Sequence, residues 1–154
     1  GKTADRKPNV INSLRLQAHD MEELNLILQG RYREVEKNEV RYEEFDCEDA
    51  EYLIVAFGIS ARICQKAVEL ARKEGIKVGL LRPITLYPYP TEALYNHAAK
   101  VKGMLCVEMS AGQMVEDVRL SVNGKVPVEY YGRMGGIVPS PDEVVNALKT
   151  KLIK

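Results

Sequence analysis

The chain has 154 residues, enough for one domain with a proper core and too short for two large ones. Its composition, 45% hydrophobic and 29% charged, is that of a globular protein and argues against a wholly disordered chain. Basic and acidic residues balance at 22 each, which leaves no footprint for nucleic acid, and no apolar run approaches the ~20 residues of a membrane helix. Residues 1–17 are polar and lack an apolar centre, so no signal peptide is expected. With Gly1 in place of Met, the chain reads as an excised piece of something longer. The three cysteines, Cys47, Cys64 and Cys106, are an odd number at wide spacings, which points to a reducing, cytoplasmic compartment. Without a C-x-x-C they offer neither zinc nor iron–sulfur ligation, and Cys64 and Cys106 read as small core residues. His19 and His97 are the only histidines, so a Ser/His/Asp or Cys/His arrangement has almost no raw material.

Residues 1–17 show no sustained period and read as a linker. A helix is predicted from Asp20, with Glu23 as its capping-box partner. Met21, Leu24, Ile27, Leu28 and Val35 form an apolar stripe between its charged faces. Residues 40–45 alternate and predict a short edge strand. The acidic run Glu43, Glu44, Asp46, Glu48 and Asp49 reads as a solvated loop, because its spacing matches no hard-metal site. From Ala50 onward, strand and helix alternate. Residues 52–57 are continuously apolar, the mark of a strand buried on both faces of a parallel sheet. The helix after Gly58 and Ser60 carries Ile63, Cys64, Ala67, Val68 and Ala71 on one face and stops at Gly75. Residues 76–81 are the second buried strand, stopped by Pro83. The next helix turns Leu94, Ala98 and Val101 inward and closes at Gly103. Residues 104–109 form the third strand of this series, and 112–122 a helix that stops at Asn123-Gly124. Residues 126–131 form the fourth, placed at an edge by Pro127. Ser140, Pro141 and Glu143 then spell the capped start of a last helix, whose Val144, Val145, Leu148 and Leu152 face the sheet.

This order predicts a three-layer α/β/α sandwich on a mostly parallel, mixed five-stranded sheet, with residues 40–45 as its antiparallel edge. Residues 1–49 are then a linker plus amphipathic helix, and 50–154 the sandwich. Open sheets of this kind bind ligands beyond the carboxyl ends of their strands, where the strand order switches. Small residues, helix N-terminal amides and the arginines Arg62, Arg82 and Arg133 gather there in sequence. The candidate anion cleft is Ser60, Arg62, Ser110, Gln113 and Arg133. On the plainer reading the serines end or cap helices and the arginines are exposed or paired with acids. No glycine-rich phosphate motif favours a ligand. Glu108 with Glu116 or Asp117 offers a carboxylate pair for acid–base work. Glu108 equally reads as a strand-end residue bonded to neighbouring amides. No catalytic, cofactor-binding or metal-binding residue is assigned.

Resemblance adds more than motif chemistry. Residues 81–90, Leu-Arg-Pro-Ile-Thr-Leu-Tyr-Pro-Tyr-Pro, are followed by Val-Glu-Met-Ser-Ala-Gly-Gln-Met at 107–114. Together they resemble the C-terminal domain of the alpha subunit of 2-oxoacid:ferredoxin oxidoreductases. Residues 55–62 and the run Tyr131-Gly132-Arg133-Met134-Gly135-Gly136 match in order and spacing. The resemblance covers most of residues 50–154 and leans to the branched-chain, 2-oxoisovalerate type. The domain is similar to the C-terminal domain of transketolases. Such kinship implies a multi-subunit enzyme that turns a 2-oxoacid and coenzyme A into acyl-CoA and CO2 while reducing ferredoxin. Thiamine diphosphate with magnesium, and iron–sulfur clusters, would serve the whole complex. This chain has no G-D-G…N diphosphate signature and no cluster-ligating cysteine set. The resemblance therefore carries no cofactor onto it and implies a structural, subunit-interface domain that is inactive alone. Its implied partners are a missing N-terminal domain, the other subunits and, through the complex, ferredoxin, with neither nucleic acid nor membrane. The alternatives are the equivalent domain of a transketolase or 2-oxoacid dehydrogenase, and a stand-alone α/β anion-binding module.

Overall fold

The computed structural model describes residues 3–9 and 12–153, so Gly1, Lys2, Val10 and Ile11 of the expected linker, and Lys154, lie outside the described residues. Two compact units meet at Val35 and Glu36. The first holds exposed turns and most of helix α1 (Ala18–Asn38). This helix starts two residues before Asp20, which therefore lies inside the first turn rather than at the cap. A carboxylate there complements the positive end of the helix dipole. On the expected stripe Met21, Leu24 and Leu28 are half-buried, Ile27 and Val35 are exposed, and no described residue of α1 is buried.

The second unit continues with β1 (Tyr42–Phe45), β2 (Tyr52–Ala56), α2 (Gly58–Lys73), β3 (Val78–Pro83), α3 (Thr91–Ala98), β4 (Gly103–Glu108), α4 (Met114–Val122), β5 (Val128–Gly132) and α5 (Pro141–Leu148). A π-helical turn, Lys149–Ile153, follows. The strands lie in the order β1-β3-β2-β4-β5, with β1 antiparallel to β3 and every other pair parallel. The mixed five-stranded sheet expected from sequence is the one that forms. Because β1 belongs to it, this compact unit begins at Glu36, ahead of residue 50.

Period-two alternation divides the core into two layers. Ile54, Ala56, Leu80, Leu105 and Val107 point to the face covered by α2 and α5. Leu53, Val55, Leu81, Met104 and Cys106 point to the face covered by α3 and α4. Each such aliphatic side chain, fully removed from water, contributes ~1.5–3 kcal/mol. The acidic residues of the run at 43–49 are exposed, as expected, but Glu43 and Glu44 lie in β1 rather than in a loop, and several of the acids are paired. Glu43 pairs with Arg82 at 2.9 Å, Glu44 with His97 at 2.8 Å, and Asp49 with Arg72 at 2.7 Å. Arg72 also donates to the carbonyls of Asp46 and Val78 at 2.6 and 2.8 Å, which fastens the β1–β2 loop to α2.

Element ends depart from the sequence reading where backbone donors decide. Strand β3 runs through Pro83, which pairs with Tyr42 alone and needs no N–H toward β2, whose register with β3 ends at Leu81. Helix α3 ends at Ala98, so Val101 is buried in the turn beyond it and Gly103 opens β4. Strand β5 starts just after Pro127, whose carbonyl accepts from the Met104 amide at 2.9 Å. The start of α5 follows the expectation closely. Ser140 Oγ accepts the Glu143 amide at 3.2 Å, and the Glu143 carboxylate accepts the Ser140 amide at 2.7 Å. Ser140→Ala is expected to cost about 1 kcal/mol, seen as a lower urea midpoint with an unchanged slope.

Candidate functional site

The chain leaves β2 for β3 on one side and returns to β4 on the other, so the strand order switches between β2 and β4. A crevice of about 150 Å3 lies there, lined by Phe57, Leu86, Glu108, Gln113, Met114 and Asp117. Its polar floor is Glu108, the last residue of β4, whose side chain is only 2% exposed. Oε2 of Glu108 accepts the amides of Gln113 and Met114 at 3.0 and 2.9 Å and the Ser110 hydroxyl at 2.9 Å. Oε1 accepts the Val115 amide at 3.0 Å. One carboxylate thus satisfies three amides at the start of α4, the position where a bound phosphate would sit in a sheet of this type.

Burial pushes the Glu108 carboxyl up. The Met114, Gln113 and Val115 amides and the Ser110 hydroxyl outweigh that effect and hold it below the usual carboxylate range. An ionised carboxylate with its lone pairs already taken is poorly placed for general acid–base work; Glu116 is exposed, and Asp117, also exposed, lines the crevice. The reading of Glu108 as a strand-end residue bonded to neighbouring amides therefore describes it. Tyr130 of β5 closes the same corner by donating its phenol to the Ser110 carbonyl.

The five residues of the candidate cleft do not converge on one cavity. Ser110 and the Gln113 amide are engaged by Glu108. Arg133 is paired with Glu143, the capping residue of α5. Ser60 is buried in the first turn of α2. Arg62 lines a separate cavity of about 350 Å3 with Gly58, Ile59, Gln65 and Arg82. The pairing of Arg82 with Glu43 escapes sequence reasoning, because it depends on the β1–β3 register that sets those two residues directly opposite.

The cysteines do not replace these groups. All three cysteines are free thiols. Burial pushes Cys47 up to about 11 and Cys64 up to about 12, and raises Cys106 further, so all three stay protonated near neutrality. Among the described residues, no three His, Cys, Asp or Glu side chains stand together as metal ligands, and no helix is long and apolar enough to cross a membrane.

Residues 50–144 match the family model described as pyruvate:ferredoxin oxidoreductase core domain II. The chain is 50% identical over 128 residues to the ketoisovalerate oxidoreductase subunit VorB of Methanothermobacter marburgensis, an alignment covering 83% of this chain and 36% of that one. It is 32% identical over 101 residues to the 2-oxoglutarate synthase subunit KorA of the same organism, covering 66% of this chain and 27% of that one. The chain thus spans about a third of the length of the curated relatives it matches. Among solved structures, the 2-oxoglutarate:ferredoxin oxidoreductase from Magnetococcus marinus, with 2-oxoglutarate, coenzyme A and succinyl-CoA bound, superposes with a TM-score of 0.75 at 22% identity over 88% of this chain and 24% of that one. A split-gene transketolase, solved as an inactive beta4 tetramer, gives a TM-score of 0.62 at 21% identity over 73% of this chain and 41% of that one. These two likenesses establish a shared fold.

Proposed function

Because the chain belongs to the pyruvate:ferredoxin oxidoreductase core domain II family, we propose that it is the C-terminal structural and subunit-interface domain of a cytoplasmic, thiamine-dependent 2-oxoacid:ferredoxin oxidoreductase. The observation that carries this reading is the strand-end crevice. Its anion position is filled by the chain's own Glu108, which supports a structural role for this corner. Ser110, Gln113 and Arg133 then serve to hold the strand-end loops in shape.

The complete enzyme converts a 2-oxoacid, coenzyme A and oxidised ferredoxin into acyl-CoA, CO2 and reduced ferredoxin. The identity to a ketoisovalerate subunit supports 2-oxoisovalerate as the acid. The described residues do not fit the cofactors of that reaction. The one carboxylate buried at a strand end is spent on amides, and the thiols are separate and buried or half-buried. Thiamine diphosphate with magnesium, the iron–sulfur clusters and the docking of ferredoxin belong to other parts of the enzyme. Of residues 1–49, those ahead of Glu36 form the connection from a preceding domain, and the rest belong to the sandwich.

Purified chain is tested with 2-oxoisovalerate, thiamine diphosphate, magnesium, coenzyme A and a viologen dye. No dye reduction is expected. Calorimetry is expected to find no thiamine diphosphate binding in the low micromolar range, near ~−8 kcal/mol. Steady reduction by the chain alone refutes the reading.

A further inference from the structure

The two ends of the sheet carry different chemistry. At the amino ends the chain enters its parallel strands past Glu51, Lys77, Lys102 and Lys125, and Lys102 pairs with Glu51. At the carboxyl ends, the segments leaving β2, β3 and β5 expose Ile59 at 62%, Ile84 at 49%, Leu86 at 48%, Met134 at 57%, Ile137 at 51% and Val138 at 50%. Exposed apolar side chains scattered singly need no explanation, but their concentration on three segments of one edge marks an interaction surface. Arg62 stands beside this rim, one turn along α2 from Ile59, and no ion pair among the described residues includes it. The cavity it shares with Arg82 is lined by no acid, and Arg82 is itself paired with Glu43.

We propose that this edge docks another domain of the same enzyme, through an apolar surface carrying a carboxylate that reaches Arg62. The inference rests on the function proposed above and adds the face through which the domain is held. Three observations select the occupant. The amides at the start of α4 are taken by Glu108, so the switch crevice offers them to no small anion. The unmatched Arg62 asks for an acid from outside, whereas a two-fold pairing of copies centred on this cavity sets arginine against arginine. The relative VorB aligns over only 36% of its length, so enzymes of this kind carry a further domain in the same chain to cover such a face.

Hydrogen exchange tests this by comparing the isolated chain with the assembled oxidoreductase. Amides of residues 58–62, 84–87 and 134–138 are expected to slow by about tenfold or more on assembly, while those of 76–77 and 124–126 at the opposite edge keep their rates. Arg62→Glu is expected to weaken assembly by about tenfold, with Arg62→Lys close to wild type and the melting temperature of the isolated chain unchanged in both. Unchanged exchange in an enzyme whose assembly is verified by mass overturns the docking face and leaves the proposed function standing. Failure of the chain to enter any oxidoreductase complex overturns both. Protection of the same loops in a dimer of the isolated chain overturns the choice of occupant. Arg62→Glu assembling at wild-type affinity overturns the carboxylate contact.

Discussion

Glu108→Ala is expected to lower stability by about 3 kcal/mol, because it leaves three amides at the start of α4 without an acceptor inside a nearly dry corner. Each unpaired buried donor costs about 1–3 kcal/mol, reduced here to the extent that water enters the vacated space. Glu108→Gln separates shape from charge. It keeps the volume and one oxygen but turns an amide donor toward backbone donors, so a loss of about 2 kcal/mol is expected. The pH dependence follows from the lowered folded-state value of Glu108. Its stabilisation is complete above the unfolded carboxylate value of ~4.3, and it is lost as the pH falls through the lower folded value. Urea titrations between neutrality and acid pH are therefore expected to show the gap between wild type and Glu108→Gln narrowing on the acid side. A gap independent of pH removes the charged hydrogen bonds from the explanation.

Gly132→Ala is the second large effect. Gly132 ends β5 opposite Glu108 in the β4–β5 ladder, and a Cβ there meets the Tyr130 phenol and comes within 2.6 Å of the Ser110 carbonyl. Accommodation requires Tyr130 to release Ser110 or β5 to part from β4. Overpacking of this kind costs about 1–3 kcal/mol, and the upper half is expected because one obstacle is backbone. Since the phenolic oxygen is the nearer obstacle, the same substitution in a Tyr130→Phe background is expected to cost about 1 kcal/mol less, a coupling that a double-mutant cycle reads directly. Additive effects would show that the two residues do not share this corner.

The pattern of success and failure in the sequence reading has a physical basis. The runs at 52–57 and 104–109 were legible because a strand buried on both faces leaves no polar alternative. Ser140, Pro141 and Glu143 were legible because a capping box is a local device whose partners lie within one turn. The antiparallel edge at 40–45 was legible from alternation, but its neighbour was not. That neighbour is β3, and the pairing converts Glu43 and Glu44 from loop acids into partners of Arg82 and His97. How the five residues of the candidate cleft are partnered was not legible for the same reason. Arg133 is neutralised by Glu143 across the β5–α5 connection, and Glu108 reaches past Ser110 to the start of α4, contacts set by tertiary geometry rather than by any motif. Sequence alone pointed to a region, the carboxyl ends of the strands. What it left open was whether that region is empty or already occupied by the chain's own charge.

A domain that completes an oxidoreductase without performing its chemistry is best tested by reconstitution. The remaining domains and subunits of a ketoisovalerate-type enzyme are prepared without this chain, and coenzyme A-dependent reduction of a viologen dye by 2-oxoisovalerate is followed as the chain is added back. No turnover is expected from the chain alone, little from the remainder alone, and a rate that rises to a plateau at one chain per missing domain. A remainder that reaches the full rate without the chain, or turnover by the chain in isolation, contradicts that role.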